Sequence, residues 1–340
     1  MKKSTLQVSG NSIPVYSLNT VVVGSGAASL SCADHIHRMG QTDLAIVTDE
    51  MGGGTSNNTG SDKQTYYKLS VFGKEGDSPT EMARSLFDGG AMHGDLALIE
   101  SLLSPQGFYR LVQIGVPFPH NRLGGFVGYK TDHDPRQRAT SAGPWTSNQM
   151  FQCLKREVEK KKIPLFDQFE VIRLISNGER CCGIICLDKK RLNSPTFGLT
   201  LFHAENVVFG VGGPGGLYDT SVYPKVHTGA IGLALEAGAT AVNLTESQYG
   251  LASTKFRWNV SGTYQQVIPR YISTDKAGKD VQEFLNPYFS SMGKLNTDVF
   301  LKGYQWPFDP RKLLNEGSSL VDVLVYIETA VKGRRVYMDF

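Results

Sequence analysis

Residues 19–39 read NTVVVGSGAASLSCADHIHRM and predict a strand, a glycine turn and a helix in that order. Residues 20–23 form a short β-branched run, which is typical of a buried parallel strand. The GSG at residues 24–26 predicts a tight turn, and residues 27–39 have helical character and end at Gly40. Free N–H groups and the positive end of the helix dipole would together form an anion-binding site above this turn.

The two glycines of the turn have separate roles in this interpretation. Gly24 permits the turn, and Gly26 leaves room for a pyrophosphate to approach the backbone. Ser29 stands where the pattern G-x-G-x-x-G has its third glycine, and serine is small enough for close packing of helix on strand. A single imperfect match is weak evidence, so its context has to decide.

The context matches a dinucleotide-binding unit. Residues 44–47 form a second apolar run, so strand, helix and strand follow one another within about 30 residues. Asp49 lies 20 positions after Ser29, close to the place where such units carry an acid that binds ribose. Thr48 is the alternative residue for that role. The competing interpretation is an ordinary strand–helix–strand turn without a ligand, and the context disfavours it.

Composition describes an ordinary globular protein. The chain has 340 residues, 40% hydrophobic and 20% charged, which is enough for a large core in one or two domains. The net charge of +3 predicts no nucleic-acid or membrane partner. No apolar stretch is long enough for a membrane span, and no signal peptide is evident.

The five cysteines are few, odd in number and set in periodic apolar segments. This pattern favours a reduced compartment over a disulfide framework, so we expect a cytoplasmic protein. Cys181, Cys182 and Cys186 lack the spacing of a metal site and lie in a strand-like run, which favours buried thiols over metal ligands.

Two further glycine clusters follow the first. Residues 52–61 read GGGTSNNTGS and carry hydroxyls and amides with almost no apolar side chains. Such a segment is either a flexible surface loop or a loop that wraps a polar ligand, and its place after the second strand favours the ligand. Residues 212–216, GGPGG, follow a predicted buried strand and indicate a second close approach to the backbone.

The remaining pattern predicts helices and strands in an α/β arrangement. Strand-like runs that predict a small antiparallel β-meander lie at residues 169–175, 183–187 and 199–203. The buried strand before the third glycine cluster is expected at residues 206–211. Helical periodicity lies at residues 80–115, 147–162 and 228–237.

Four motifs in a fixed order carry a family resemblance. They read GSGAASL, GGGTSNNTG, NVVFGVGGPGGLY, and HTGAIGLALEAGA with SQYG behind it. In this order they resemble the FAD-dependent flavoprotein family of fumarate reductase, succinate dehydrogenase and L-aspartate oxidase. The resemblance extends over nearly the whole chain, and four ordered motifs are much more specific than one.

The resemblance implies an α/β fold of two parts. Residues 1–245 would form the N-terminal part of a Rossmann-like FAD-binding domain, with a parallel sheet and the small antiparallel β-meander. Residues 246–340 would form an incomplete α+β capping domain. Because the later half of the family pattern does not follow, the chain is expected to be a fragment or a shortened relative that lacks part of the flavin and catalytic sites.

The resemblance also implies the cofactor contacts. The pyrophosphate would lie on the first turn, the adenosine ribose at the end of the second strand, and the adenine near a strand backbone at Val171. The second cluster would run along the pyrophosphate towards the flavin, and the third would lie on the adenosine side. The residues so implied are Gly24, Gly26, Ala27, Ala28, Thr48, Asp49, Gly53, Gly54, Thr55, Ser56, Gly60, Val171, Gly212, Gly213 and Gly216.

Three departures from the family pattern concern chemistry. Residues 52–61 contain no histidine, so FAD is expected to be bound non-covalently. The family's His-Pro-Thr substrate loop is replaced by Tyr249, Gly250 and Leu251, and its catalytic Arg-Gly-Glu segment has no match. Arg270 and Tyr249 are the available candidates for a cationic clamp and a proton donor.

The function implied is an FAD-dependent oxidoreductase that acts on a small molecule such as a carboxylic acid, with a redox partner protein. The alternative is a non-catalytic FAD- or nucleotide-binding module, or a degenerate flavoprotein subunit. A third interpretation, an NAD-dependent dehydrogenase, accounts for the first glycine cluster but not for the other two.

Overall fold

The computed structural model describes two compact units. The first lies within residues 1–60, 64–129 and 136–243, and the second consists mainly of residues 244–340. The expected boundary between residues 245 and 246 falls outside the described part of the chain. The residues that the structure describes are 1–60, 64–73, 75–131, 134–218, 221–242, 244, 249–255 and 258–340.

The first unit is built on a seven-stranded sheet. Its strands are β1 (Lys2–Val8), β2 (Asn11–Val23), β3 (Leu44–Thr48), β6 (Leu165–Asp167), β7 (Phe169–Ser176), β8 (Cys181–Asp188) and β9 (Leu199–Phe209). The order is β6-β3-β2-β9-β8-β7, and β1 pairs with the first half of β2. A separate two-stranded sheet joins β4 (Tyr66–Tyr67) to β5 (Ala139–Thr140).

The predicted combination of a parallel sheet and an antiparallel meander is confirmed. β2 runs parallel to β3 and β9, and β3 runs parallel to β6. β7, β8 and β9 form the antiparallel meander. The prediction of two separate strands at residues 199–203 and 206–211 was wrong, because β9 is one continuous strand. It pairs with β8 on one side and with β2 on the other, so it belongs to both parts of the sheet.

Six helices are described in the first unit, and they largely follow the predicted periodicity. Ser78 begins the third of them by accepting a hydrogen bond from the Glu81 amide. The last is shorter than the predicted 228–237. Among the described residues, none of the helices combines the length and the hydrophobicity that a membrane span needs. The six are α1 (Ala27–Arg38), α2 (Thr55–Asn58), α3 (Pro79–Phe87), α4 (Gly94–Gln113), α5 (Thr146–Lys160) and α6 (Ile231–Glu236).

The alternation of side chains along the parallel strands divides the core into two clusters. Val22 and Ile46 pack on one face with helical residues such as Leu154. Val21 and Val47 point to the opposite face, where the packed residues come from the meander. Because both faces are covered, the strands read as continuous apolar runs instead of alternating ones.

A group of four charged side chains fastens α1 to α4 and α5. The buried carboxylate of Asp34 accepts two hydrogen bonds from Arg110, at 2.9 and 3.0 Å, and one from Lys161. Glu157 accepts hydrogen bonds from the same two cations. Burial alone would raise the pKa of Asp34, but the hydrogen bonds from Arg110 and Lys161 hold that pKa below its usual range. These contacts fix the helix whose N-terminus begins at the glycine turn.

The second unit is a smaller α+β body with its own core. β12 (Arg270–Thr274) pairs antiparallel with β13 (Arg335–Asp339), and α8 (Met292–Lys302) and α9 (Ser319–Tyr326) supply Leu295, Val299, Val321 and Leu324 to the core. The other described elements include the antiparallel pair of β10 (Ala252–Ser253) and β11 (Trp258–Asn259), and α7 (Thr263–Gln266).

Candidate functional site

The first glycine turn lies where three parallel strands end. Gly24 has φ +94°, and its amide donates a hydrogen bond to the Val47 carbonyl at 2.8 Å. A Cβ at this position would lie 2.3 Å from the carbonyl oxygen of Gly210, just after β9. Gly24 is therefore required by the chain itself, because both its backbone conformation and its close neighbour exclude a side chain.

The N-terminus of α1 presents polar backbone groups. The N-cap residue is Gly26, which has no side chain that could cap the helix. The Ala27 amide donates to the Ser56 hydroxyl at 3.0 Å. Within the described part of the chain, the Gly26 and Ala28 amides find no protein acceptor. Unpaired N–H groups at a helix N-terminus are the arrangement that binds phosphate.

Ser29 shows how this chain accommodates a serine where the motif has a third glycine. Its side chain is buried, and its hydroxyl lies within hydrogen-bond distance of two carbonyl oxygens, those of Val23 at 3.2 Å and Gly210 at 3.1 Å. A Cβ at Gly210 would lie 2.1 Å from that hydroxyl oxygen. Gly210 therefore has to lack a side chain for the Ser29 hydroxyl to fit. The sequence alone does not reveal this requirement.

The two candidates for ribose binding differ in their surroundings at the end of β3. Thr48 is buried, and its hydroxyl is 2.9 Å from that of Ser25 in the glycine turn. Asp49 is partly exposed and forms an ion pair with Lys189, which follows β8. The hydrogen bond to Asp49 raises the pKa of Lys189. Lys189 is a neighbour of the site that sequence reasoning missed, since nothing local connects residues 49 and 189.

The second glycine segment, defined here as residues 52–60, is wound into a compact structure. Asn57 donates to the Gly52 carbonyl at 2.9 Å, and Asn58 donates to the Gly54 carbonyl at 2.9 Å. Asn148 of α5 donates to the Asn57 carbonyl at 3.0 Å. These bonds disfavour the interpretation as a flexible surface loop. Ser61, the last residue of the predicted cluster, lies outside the described residues.

The third glycine segment, residues 212–216, is joined to the second through His227. One ring nitrogen of His227, Nε2, is 2.7 Å from the Thr55 hydroxyl, and the other, Nδ1, is 3.3 Å from the Gly213 carbonyl oxygen. A Cβ at Gly212 would lie 2.5 Å from His227 Cε1, and one at Gly216 would lie 2.4 Å from the His227 carbonyl oxygen. The chain itself therefore requires these two glycines.

At three other glycines of the predicted site, neither the backbone conformation nor a neighbouring atom of the chain excludes a side chain. A Cβ at Gly54 or Gly213 would meet no atom of the described chain within 4 Å, and one at Gly26 would meet only Ser56 Oγ at 3.4 Å. None of these three has a positive φ. Their open surroundings, together with the free amides of α1, fit a ligand that approaches the backbone closely.

The remaining predicted cofactor residues lie on neighbouring elements. A Cβ at Gly53 would lie 2.8 Å from the Glu50 carboxylate, and one at Gly60 would lie 3.1 Å from the Trp145 ring. Val171 is a half-buried residue of β7, and the pairing of β7 with β8 shifts register directly after it. Glu170, beside it, lies 3.7 Å from Lys189, which places β7 near the end of β3.

The two predicted catalytic residues belong to the second unit and have different environments. The Arg270 side chain is 65% exposed, and its guanidinium forms ion pairs with Glu283 and Asp339. Tyr249 is 45% exposed, and its ring lies 6.1 Å from that of Phe308. Partial burial raises the pKa of Tyr249, and the charge of Asp322 raises it further. Gln248, which precedes Tyr249 in the SQYG motif, lies outside the described residues.

A buried ion pair lies inside the second unit. Lys302 and Asp322 are both fully buried and contact each other, and Lys302 also donates to the Gln305 carbonyl at 3.3 Å. Burial raises the pKa of Asp322 to about 6, although the positive charge of Lys302 opposes that shift. This pair fastens α8 to α9, and we assign it a structural role.

The chain is similar to known proteins in sequence and in fold. The family model described as FAD binding domain matches residues 19–290, beginning at the residue that opens the glycine-turn stretch. The L-aspartate oxidase of Streptomyces coelicolor is 25% identical over 235 residues, which are 68% of this chain and 39% of that protein. The chain thus spans about two fifths of the length of that curated relative.

Two solved structures share the fold. Quinol fumarate reductase of E. coli aligns with a TM-score of 0.62 and 17% identity, over 78% of this chain and 44% of that chain. A flavocytochrome c3 fumarate reductase in its open conformation aligns with a TM-score of 0.63 and 17% identity, over 94% of this chain and 55% of that chain. At these identities the likeness establishes the architecture.

Proposed function

Because this chain belongs to the FAD binding domain family, we propose that it is an FAD-dependent oxidoreductase of the fumarate reductase, succinate dehydrogenase and L-aspartate oxidase type. The resemblance read from the four sequence motifs is confirmed by this family match. FAD is the cofactor. The substrate that we propose is a small carboxylic acid, and we propose a redox partner that exchanges electrons with the flavin.

One observation supports the cofactor site above all others. Gly26, Gly54 and Gly213 lie on three segments joined by hydrogen bonds, and each faces space that the described chain leaves open. The free amides beside Gly26 are suited to phosphate oxygens. Gly24 and Gly212, where an added Cβ would clash with the chain itself, show the opposite environment. An adenine dinucleotide bound against the open positions would account for this difference between the glycines.

We assign the following contacts to FAD. The pyrophosphate would lie on Gly24, Gly26, Ala27 and Ala28, with Thr55 and Ser56 beside it. Thr48 and Asp49 would receive the adenosine ribose, and Val171 would lie near the adenine. Gly53, Gly54 and Gly60 would lead towards the flavin, and Gly212, Gly213 and Gly216 would lie on the adenosine side.

The chain contributes to the chemistry by binding and orienting the cofactor and the substrate. Bound FAD supplies hydride transfer at the flavin. We propose Arg270 as a clamp for a substrate carboxylate and Tyr249 as a proton donor. Arg270 can serve as a clamp only if a substrate carboxylate displaces Glu283 or Asp339 from its guanidinium. Since both carboxylates already neutralise this arginine, the alternative of a non-catalytic FAD-binding module retains a specific observation in its favour.

Reconstitution with FAD tests the proposal. We expect the flavin-free protein to bind FAD with visible flavin absorbance, to bind FMN much more weakly, and to be blocked by ADP, since most assigned contacts are to the adenylate half. Under anaerobic conditions, succinate or L-aspartate should bleach the bound flavin, or fumarate should reoxidise the reduced flavin. FAD binding without any such exchange supports the module, and absence of FAD binding contradicts both interpretations.

The bound flavin should be released completely by acid precipitation. The second glycine segment contains no histidine, and the nearby His227 has a protein partner at each ring nitrogen. Neither the second glycine segment nor His227 therefore offers a free histidine nitrogen for a covalent link. The measurement is flavin fluorescence in the supernatant and in the washed precipitate. Fluorescence that stays with the denatured polypeptide would contradict non-covalent binding.

A further inference from the structure

His227 connects two segments that are far apart in sequence. Its side chain is buried, with the residue 8% exposed, and it lies four residues before α6 begins. Thr55 contacts one nitrogen of the ring and Gly213 contacts the other. Sequence spacing alone gives this histidine no role, because its partners lie 172 and 14 positions away.

The chemistry of the two partners determines which nitrogen carries the proton. A carbonyl oxygen can only accept, so Nδ1 donates to Gly213. In the neutral ring Nε2 is then an acceptor, and the Thr55 hydroxyl donates to it. A single neutral tautomer therefore satisfies both contacts, and the imidazole forms a bridge between the second and the third glycine segments.

The glycines around the ring are matched to this bridge. Gly212 has φ +78°, and a Cβ there would lie 2.9 Å from Nδ1 as well as 2.5 Å from Cε1. The Tyr223 ring lies 5.5 Å from the imidazole. The backbone at Gly212 therefore lies directly against the imidazole, with no room for a side chain between them.

The bridge has a consequence for ligand binding. Thr55 begins α2, next to the open position at Gly54, and Gly213 is itself an open position. Ser56 in turn accepts from the Ala27 amide at the start of α1. Through His227 and Ser56, all three glycine segments are connected before any ligand is present. Such preorganisation lowers the ordering cost that binding has to overcome.

We propose that His227 is a positioning residue that bridges the second and third glycine segments and thereby preforms the FAD site. The bridge itself is a property of the flavin-free chain. Its effect on FAD affinity rests on the proposed function.

Hydrogen exchange of the flavin-free protein tests the bridge directly. Replacing His227 by Leu removes both contacts, and we expect amide protection in residues 52–60 to fall about tenfold, as loss of two modest hydrogen bonds predicts. His227→Gln places an acceptor near Nε2, and His227→Asn places a donor near Nδ1, so each should give a smaller loss. His203→Gln, on an exposed part of β9, is the matched control and should change nothing.

Thr55→Val tests the same contact from the other side, which keeps the proposal falsifiable where a His227 variant does not fold. It removes the hydroxyl without touching the ring, and Thr55→Ser should restore protection because it keeps that hydroxyl. Unchanged exchange of residues 52–60 in both Thr55→Val and the folded His227 variants would overturn the proposal.

A double-mutant cycle on FAD affinity separates the bridge from a direct contact between Thr55 and the cofactor. If the bridge acts, Thr55→Val should weaken FAD binding in the parent but have little further effect in His227→Leu. Additive losses would show that the hydroxyl contacts FAD independently and would overturn the positioning role. Loss of amide protection in a chain that binds no FAD at all would support the bridge and contradict the proposed function.

Discussion

Gly26→Val is expected to weaken FAD binding by about 100-fold or more, equivalent to about 3 kcal/mol, while the protein stays folded. The backbone at Gly26 is extended, with φ −71° and ψ 174°, a conformation that valine adopts readily. An added Cβ would meet only Ser56 Oγ at 3.4 Å, so the chain can accept it. Its methyl groups would occupy the space in which we place the pyrophosphate.

The affinity is measured by calorimetric titration of the flavin-free protein, with circular dichroism and thermal unfolding to establish that the variant is folded. Gly76→Val is the matched control, because a Cβ at Gly76 would meet no atom of the described chain within 4 Å and Gly76 has no proposed ligand contact. That control should bind FAD as the parent does. Parent-like affinity in Gly26→Val would show that the turn is not where the pyrophosphate lies.

Gly24→Ala, two residues earlier in the same motif, is expected to destabilise the flavin-free protein by about 3 kcal/mol or more. Two costs combine here. Alanine at φ +94° is strained, and its Cβ would lie 2.3 Å from the Gly210 carbonyl oxygen. That oxygen belongs to the backbone where β9 ends beside β2. The alanine Cβ can therefore avoid the clash only if the parallel strands move apart.

Gly40→Ala isolates the conformational part of this cost. Gly40 has the same φ of +94°, but a Cβ there would meet no atom of the described chain within 4 Å. It should therefore cost only about 1–2 kcal/mol. Chemical denaturation of the three proteins, without flavin, gives the comparison. Equal losses in Gly24→Ala and Gly40→Ala would show that the contact with Gly210 adds nothing, and that the strand ends tolerate a side chain.

The contrast between Gly24 and Gly26 shows what a motif can reveal about a site and what it leaves open. Sequence assigns both glycines to one turn. The structure separates them, because Gly24 faces the neighbouring strand end and Gly26 faces open space. The same separation applies to Gly212 and Gly213 in the third glycine segment. Neighbouring glycines in one motif therefore predict opposite phenotypes, loss of stability for one and loss of ligand affinity for the other.

The sequence alone was sufficient for the local architecture and the family. The strand, turn and helix of residues 19–39 follow from β-branched residues, glycines and helical spacing that act between near neighbours. The same holds for the meander strands β7 and β8, and the order of four motifs was sufficient to identify the flavoprotein family. Such features can be predicted because the interactions that determine them lie within a few residues of each other.

The tertiary structure alone decided which side chains meet. The ion pair of Asp49 with Lys189, the pairing of Arg270 with two carboxylates, and the bridge from Thr55 through His227 to Gly213 join residues that sequence spacing cannot associate. The merging of two predicted strands into β9 is of the same kind, since β2 pairs with residues 201–209 of this strand while β8 pairs with residues 199–203 on its other side. The physical reason is that hydrogen bonds and ion pairs require atoms within about 3–4 Å, and only the folded chain determines which distant residues come that close.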